Sequence, residues 1–118
     1  MTAPSSLAEL LSTECTPRTG KDALDAAAVA AQLAVLPGWT HVGGALQASF
    51  RFADWWETLA FVNALAWMVH RQDHHPDLAV SYDRCTVRWS THSAGGVTVS
   101  DFACAARSDA IYAARPGA

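Results

Sequence analysis

The 118 residues are enough for one domain with a single core, and the apolar fraction of 51% and charged fraction of 16% are ordinary for a folded protein. The net charge of −3 and the scattered Lys and Arg residues argue against binding to nucleic acid or to a membrane surface. No segment reaches the ~20 apolar residues of a membrane span. The start of the chain lacks the pattern of a signal peptide, so we expect a cytoplasmic protein.

The cysteines point to the same compartment. Cys15, Cys85 and Cys104 form no CxxC pair, and their number is odd. This pattern argues against a disulfide framework and fits a reducing cytoplasm. We expect each cysteine to be structural.

The chain divides into an arm and one domain. Residues 1–20 are rich in Ser, Thr and Pro, which predicts a flexible arm with one short helical turn. The folded domain is expected over residues 21–114. It opens with a helix from Asp22 to Leu36, closed by Pro37-Gly38.

Four strands follow from alternating apolar or β-branched patterns, over residues 40–42, 45–52, 78–82 and 85–91. Gly43-Gly44 and Asp83-Arg84 are the predicted turns of two hairpins. With a helix between the hairpins and one after them, the order is α-β-β-α-β-β-α. The expected class is α+β: a single four-stranded antiparallel sheet with three helices packed on one face.

The two later helices have recognisable starts. Asp54 is a predicted N-cap for the long helix, which should run to about Arg71. Its predicted core stripe consists of Trp55, Leu59, Val62, Ala66 and Val69. Thr98 begins the last helix, with Asp101 three residues on, where a carboxylate favours a helix N-terminus.

An open sheet of this kind leaves two edge strands, and pairing with another subunit is one way to cover an edge. The chain also has five Trp residues, a type enriched in cores and in subunit contacts. The sequence therefore predicts self-association.

Histidines of the second half carry the candidate chemistry, namely His70, His74, His75 and His92. Imidazole titrates near neutral pH, so such a cluster can hold both a proton donor and a proton acceptor. His74 and His75 are adjacent, and Pro76 biases His75 away from helix, so the two rings should point in different directions.

A metal site is the competing interpretation, because His70 and His74 have the i, i+4 spacing of ligands on a helix. Both residues, however, flank the predicted end of the long helix. The pattern also lacks a Glu to act as general base. A metal site is therefore the minority interpretation.

The stretch HRQDHHPDLAVSYDRCTVRWSTHSAGGVTVSD resembles the signature of the pterin-4a-carbinolamine dehydratase family, also known as the dimerisation cofactor of a homeodomain transcription factor. The matched positions are His70, His74, His75, Pro76, Tyr82, His92 and Asp101. LPGW before the first strand and the F-x-F-x-D before the long helix agree with it. The resemblance covers roughly residues 22–113. Animal members often have Glu at the first position, where this chain has His70.

The resemblance implies a dehydratase that removes water from 4a-hydroxytetrahydropterin (4a-hydroxytetrahydrobiopterin) and gives quinonoid dihydropterin. The implied context is recycling of tetrahydrobiopterin for phenylalanine hydroxylation, or a pterin step near molybdenum cofactor metabolism. The pterin would be the substrate, with no cofactor and no metal. The implied assembly is a homodimer or homotetramer, with a functional link to an aromatic amino acid hydroxylase.

The resemblance also implies roles for single residues. His74, His75 and His92 would be the catalytic histidines, with His74 and His92 as acids and His75 at the edge of the pterin ring. Asp101 would orient a histidine. His70, Pro76 and Thr91 would bind substrate or shape its slot. The alternatives are a non-catalytic binding or dimerisation module of the same fold and, less favoured, a metallohydrolase with a histidine cluster.

Overall fold

The computed structural model describes residues 3–15 and 18–116. The helices there are α1 (Leu7–Ser12), α2 (Ala26–Leu33), α3 (Trp55–Gln72) and α4 (Val99–Ala113). The strands are β1 (Thr40–Val42), β2 (Ala45–Arg51), β3 (Asp77–Ser81) and β4 (Arg84–Trp89). Short 3₁₀ turns lie at Gly20–Asp22 and His92–Ala94. Among these described residues, no helix has both the length and the apolar character needed to cross a membrane.

The strands form one antiparallel sheet in the order β1-β2-β4-β3. Side chains of β2 and β4 alternate between a buried and a more open face, as period-2 patterns require. The buried face consists of Leu46, Ala48, Phe50, Cys85, Val87 and Trp89. Helices α3 and α4 pack on this face, which confirms the predicted α+β class.

The second hairpin differs from the prediction by one residue at its turn. Ser81 pairs with Arg84, so the two-residue turn is Tyr82-Asp83 rather than Asp83-Arg84. The last strand ends at Trp89, whereas the sequence predicted Thr91. The reason is a small bridge in which Thr91 N donates to Gly96 O at 2.8 Å and turns the chain away from the sheet.

Both predicted caps of the later helices are confirmed. Asp54 accepts a hydrogen bond from Glu57 N at 2.9 Å at the start of α3. At the start of α4, Thr98 and Asp101 form a capping box, in which each side chain accepts a bond from the backbone of the other end of the turn. These two caps set where α3 and α4 begin.

The buried face of α3 matches the predicted stripe only in part: Val62 and Val69 pack against the core but are only partly buried. Its fully covered side chains are Thr58, Phe61 and Leu65. Trp55 and Ala66, which the prediction placed in the core, are exposed. A polar Thr58 can face the core because its hydroxyl lies 2.9 Å from the carbonyl oxygens of Asp54 and Tyr82, to which it donates. That pairing removes the cost of burying a hydroxyl.

The N-terminal segment, which the sequence predicted as a flexible arm with one short helical turn, contains helix α1. Helix α1 packs against α4 and buries Leu10 completely. Gln32 of α2 exchanges two hydrogen bonds of 2.8 Å with the backbone of Ser5. Helix α2 is shorter than the predicted Asp22–Leu36, because Asp25 caps it by accepting from Ala28 N.

Strand β3 is an open edge of the sheet. All five of its residues are exposed. Leu78 and Val80 pair with Val87 and Cys85, so they share the face on which the helices pack, yet each is 39% exposed. This edge therefore presents apolar side chains together with unpaired backbone groups.

Candidate active site

The C-terminus of α3 positions the first of the site histidines. Helix α3 ends at Gln72, and Asp73 follows in the left-handed conformation with φ of 51°. Aspartate tolerates this conformation better than most side chains. The chain therefore leaves the helix axis at Asp73, and His74 lies against α4 instead of continuing the face of α3.

The start of α4 supplies the group that His74 meets. Asp101 has no solvent exposure, and its Oδ1 lies 2.6 Å from His74 Nε2. Its Oδ2 accepts from Thr91 Oγ1 at 2.7 Å and from Thr98 N at 2.9 Å. A buried carboxylate needs several donors. Asp101 finds them on three different segments, and the capping box thereby fixes the carboxylate beside His74.

These contacts define the orientation of the His74 ring. A carboxylate accepts hydrogen bonds, so Nε2 of His74 carries the proton that faces Asp101. One face of the ring stacks on Trp89, with the ring centroids 5.4 Å apart and the planes inclined by 15°. Trp89 is itself buried, and its Nε1 donates to Ser108 Oγ at 3.2 Å. The imidazole is held on its edge and on one face.

Three of the predicted histidines open on one cleft. It measures about 290 Å³ and is lined by Asp73, His74, His75, Ser90, Thr91, His92 and Ser93. His74 is mostly covered, with a side-chain exposure of 12%, whereas His75 and His92 are exposed. His92 begins the 3₁₀ turn that lies between Thr91 and Gly96, the two residues joined by the bridge. The cleft thus combines side chains from the end of α3 and from the β4–α4 connection.

Two predicted substrate-binding residues lie elsewhere. His70 and Pro76 line a neighbouring cavity of about 380 Å³ between α3 and β3, on which His75 also borders. His75 therefore separates the two spaces. The roles of His70 and Pro76 in binding substrate or shaping its slot stay predictions, and both residues reach the cleft only by way of the neighbouring cavity that shares His75 with it.

The structure adds residues that the sequence did not single out. Ser90, Ser93 and Asp73 line the cleft. Trp89 lies in the core and stacks on His74, a contact that the sequence did not predict. Residues two positions apart on a strand face the same side of the sheet, so the spacing of Val87 and Trp89 indicated that Trp89 would be buried. The spacing did not indicate which side chain Trp89 would contact.

A metal site receives no support from the arrangement of side chains. Within residues 3–15 and 18–116, no group of three or more His, Cys, Asp or Glu is placed to hold a metal ion. His70 and His74, the i, i+4 pair, line different cavities.

The sequence profile of one known family, pterin 4 alpha carbinolamine dehydratase, matches residues 22–111. The chain belongs to this family. The match includes the whole cleft and every strand of the sheet, which agrees with the family resemblance drawn from the sequence.

Relatives within the dehydratase family are similar over most of their length. A protein of Xanthomonas oryzae pv. oryzae, described as a candidate pterin-4-alpha-carbinolamine dehydratase, is 54% identical over 101 residues, or 83% of this chain and 86% of that protein. A protein of Chromobacterium violaceum with the same description is 48% identical over 103 residues, covering 87% of this chain and 95% of the relative.

Solved structures agree on the fold. The crystal structure of a transcriptional coactivator/pterin dehydratase from Brucella melitensis superposes with a TM-score of 0.72 at 33% identity, covering 75% of this chain and 97% of that one. A pterin dehydratase-like protein identified as a RuBisCO assembly factor in the alpha-carboxysome gives a TM-score of 0.57 at 24% identity, over 64% of this chain and 89% of its own. The second likeness concerns the fold alone.

Proposed function

We propose that this protein removes water from 4a-hydroxytetrahydropterin and releases quinonoid dihydropterin, by histidine general acid–base catalysis. The observation that carries the proposal is the cleft on which His74, His75 and His92 open together, with the buried Asp101 behind His74. Membership in the dehydratase family supports the choice of substrate.

The reaction asks for two proton transfers. The 4a-hydroxyl leaves as water and needs a proton donor, while N5–H of the pterin needs an acceptor. Positioned acid–base groups contribute about 10²–10⁴-fold in rate, which suits a carbinolamine that already dehydrates unaided. Several imidazoles on one cleft provide both functions near neutral pH.

His74 is the histidine whose proton positions are best defined. Because Nε2–H is donated to Asp101, Nδ1 is the atom left to exchange a proton with substrate. We assign the His74 side chain, with both ring nitrogens protonated, as an acid. His92, which lines the same cleft, is the second acid, and His75 is the group at the ring edge. Thr91, bonded to Asp101, belongs to the support of this site.

The physiological setting proposed is the recycling of a pterin that an aromatic amino acid hydroxylase has oxidised. The pterin is the substrate, and the proposed chemistry needs no cofactor or metal. We place the reaction in the cytoplasm and in a homo-oligomer whose contact includes the open edge at β3.

The proposal is tested by generating 4a-hydroxytetrahydropterin enzymatically and following its dehydration with and without the protein. We expect clear acceleration over buffer. His41→Ala is the matched control, since His41 lies exposed on β1 and outside the cleft. It should behave as wild type, while the combined His74→Ala/His92→Ala variant should lose most of the acceleration. No acceleration under conditions in which a known family member works would refute the proposal.

Experiments on the same purified protein distinguish two other functions from the dehydratase. A non-catalytic binding module is favoured by the name of the Brucella melitensis relative, which includes a coactivator role. It predicts a folded, oligomeric protein without dehydratase activity. A metallohydrolase predicts stoichiometric metal and activity that is lost on chelation and regained when metal is added back. The dehydratase proposal predicts unchanged turnover after exhaustive chelation.

A further inference from the structure

Two buried cysteines outside the cleft face each other. Cys15, which follows α1, and Cys104 of α4 are 89 positions apart in the chain, and their sulfur atoms lie 2.8 Å apart. Their exposures are 1% and 0%. A disulfide has an S–S distance of about 2.05 Å, so a movement of about 0.8 Å would join the two sulfur atoms.

The surroundings of Cys15 tie the N-terminal segment to the core. Arg107 of α4 has one guanidinium nitrogen 3.6 Å from Cys15 Sγ and another 3.1 Å from the carbonyl oxygen of Leu11, at the end of α1. The backbone N–H of Cys15 donates to Gln72 Oε1 at 3.0 Å. Cys15 therefore lies between the last residue of α3 and the middle of α4.

We propose that Cys15 and Cys104 form a reversible disulfide on reaction with a low-molecular-weight disulfide, and that this cross-link fastens the N-terminal segment to α4. Fastening would take place one helical turn beyond Asp101, on the helix that positions the site carboxylate. The inference does not depend on the proposed dehydratase activity.

The two sulfur atoms have different roles in this step. The hydrogen bond from the Cys104 thiol, together with the positive charge of Arg107, lowers the pKa of Cys15 below its ordinary value. The hydrogen bond to Cys15 and burial raise the pKa of Cys104. Cys15 is the sulfur that reacts first, because it lies on the N-terminal segment that opens while Cys104 stays in α4, and its thiolate is the nucleophile in thiol–disulfide exchange.

The exchange balances in two displacements. The Cys15 thiolate attacks one sulfur of the small disulfide, forms a mixed disulfide and releases one small thiolate. That thiolate takes the proton of Cys104, whose sulfur then attacks Cys15 and releases the second small thiolate, which takes up the proton that Cys15 had lost. Two protein thiols have lost two electrons in total, and the small disulfide has gained them as two thiols.

Burial determines when the reaction occurs. Neither sulfur is accessible while α1 is docked, so the oxidant enters when the N-terminal segment opens transiently. Once the bond has formed, the opening is blocked. The cross-link closes a loop of nearly the whole domain, and long loops give the larger stabilisation.

The test uses the full chain with Cys85→Ser as the matched control, since Cys85 is buried on β4 and takes no part in the pair. Protein is incubated with oxidised glutathione under native conditions, and intact mass is measured before and after dithiothreitol. Wild type and Cys85→Ser should both lose the mass of two hydrogen atoms. Digestion should yield one linked pair of peptides containing Cys15 and Cys104. The Tm should rise by about 10 °C and return on reduction.

Three results would contradict the proposed disulfide. Retention of both thiols after prolonged exposure to oxidised glutathione would overturn the proposal, as would a stable glutathione adduct on Cys15 without closure or a product that includes Cys85. Cys15→Ser should form no internal disulfide and show no rise in Tm. Because the peptide mapping is done on wild-type protein, the result does not depend on whether a variant at Cys104 folds.

Discussion

His74 Nε2 lies 2.6 Å from Oδ1 of Asp101, a carboxylate with no solvent exposure. The other carboxylate oxygen is held by Thr91 and by the backbone N–H of Thr98. Each atom of the carboxylate therefore has a donor. The imidazole is oriented by a group that the protein itself has fixed, and rotation of either residue would leave a buried polar atom without a partner.

Asp101→Asn should impair the site without abolishing activity. The amide keeps one acceptor oxygen for Thr91 and Thr98, which puts its NH₂ towards His74 and makes His74 Nε2 an acceptor. Loss of the negative charge also disfavours the imidazolium, so the pH–activity profile should move to lower pH. We expect a stability loss of about 1–3 kcal/mol. Measuring kcat/KM from pH 5 to 9, with denaturant unfolding alongside, checks both effects. An unchanged profile would show that Asp101 is only a helix cap.

The histidines should differ in importance. His75→Ala should reduce kcat/KM by about 10² or more, within the range of general acid–base catalysis, because His75 is proposed at the ring edge where both stereoisomers pass. His74→Ala and His92→Ala should each keep measurable activity, with a skew towards one stereoisomer. His70→Ala should be the mildest, since His70 lines the neighbouring cavity. Stopped-flow assays on separated stereoisomers measure the order. It fails if His70→Ala is the most damaging change.

Self-association should depend on the edge at β3. Leu78 and Val80 are apolar, 39% exposed, and lie on a strand with one unpaired side. Val80→Lys should weaken the assembly about tenfold or more by placing a charge in the contact. Val42→Lys is the matched control on the opposite edge strand, where Val42 is 47% exposed. Light scattering at micromolar concentration measures both. A wild-type mass of 12.6 kDa would contradict the prediction.

Asp109 should make the protein less stable as the pH rises. Burial raises the pKa of this carboxyl above 3.8, against the opposing hydrogen bond from Trp39 Nε1. The folded state therefore holds the proton to higher pH than the unfolded state. The free energy of unfolding accordingly falls as pH rises from about 3.8 through the raised value. Asn accepts the same bond but does not ionise, so Asp109→Asn should flatten this decline.

Denaturant unfolding at pH 3 and pH 7 provides the measurement for Asp109. The Asn variant should match wild type at the lower pH and exceed it at the higher. Asp109→Ala, by contrast, leaves the buried Trp39 Nε1 without its acceptor and should cost about 1–3 kcal/mol at both pH values. Because Asp109 is on α4 but outside the cleft, Asp109→Asn also serves as the activity control for Asp101→Asn. A wild-type stability that rises between the two pH values while the variant's does not would contradict the assignment.

Local signals predicted the frame of the molecule. Period-2 patterns located the strands, and Asp54 and Thr98 marked the starts of the two long helices, because capping needs only neighbouring residues. The predicted stripe of α3 did not include Thr58, because Thr58 is polar in isolation. It enters the core only through bonds to carbonyl oxygens, one of which belongs to the distant Tyr82. A hydrogen bond between residues distant in the chain does not produce a periodic pattern in the sequence.

In the site, too, the sequence identified the residues but not their spatial arrangement. The family signature brought out the histidines and Asp101 together. The sequence did not reveal which of these residues line the same cavity. Asp73 takes a left-handed conformation, and after this turn His74 lines a different cavity from His70. The stacking of His74 on Trp89 likewise depends on how α3, β4 and α4 meet, so it follows from packing alone.

The docking of α1 on α4 bears on where the domain should be taken to start. The family profile begins at residue 22, yet Leu10 and Cys15 are part of the hydrophobic core. Ala103 and Ala106 of α4 are small and fully covered, which leaves room for a neighbouring helix. A fragment cut at the family boundary would carry an unfilled groove along α4. Chimaeras that exchange the catalytic region between relatives should therefore inherit the N-terminal segment and α4 from the same parent.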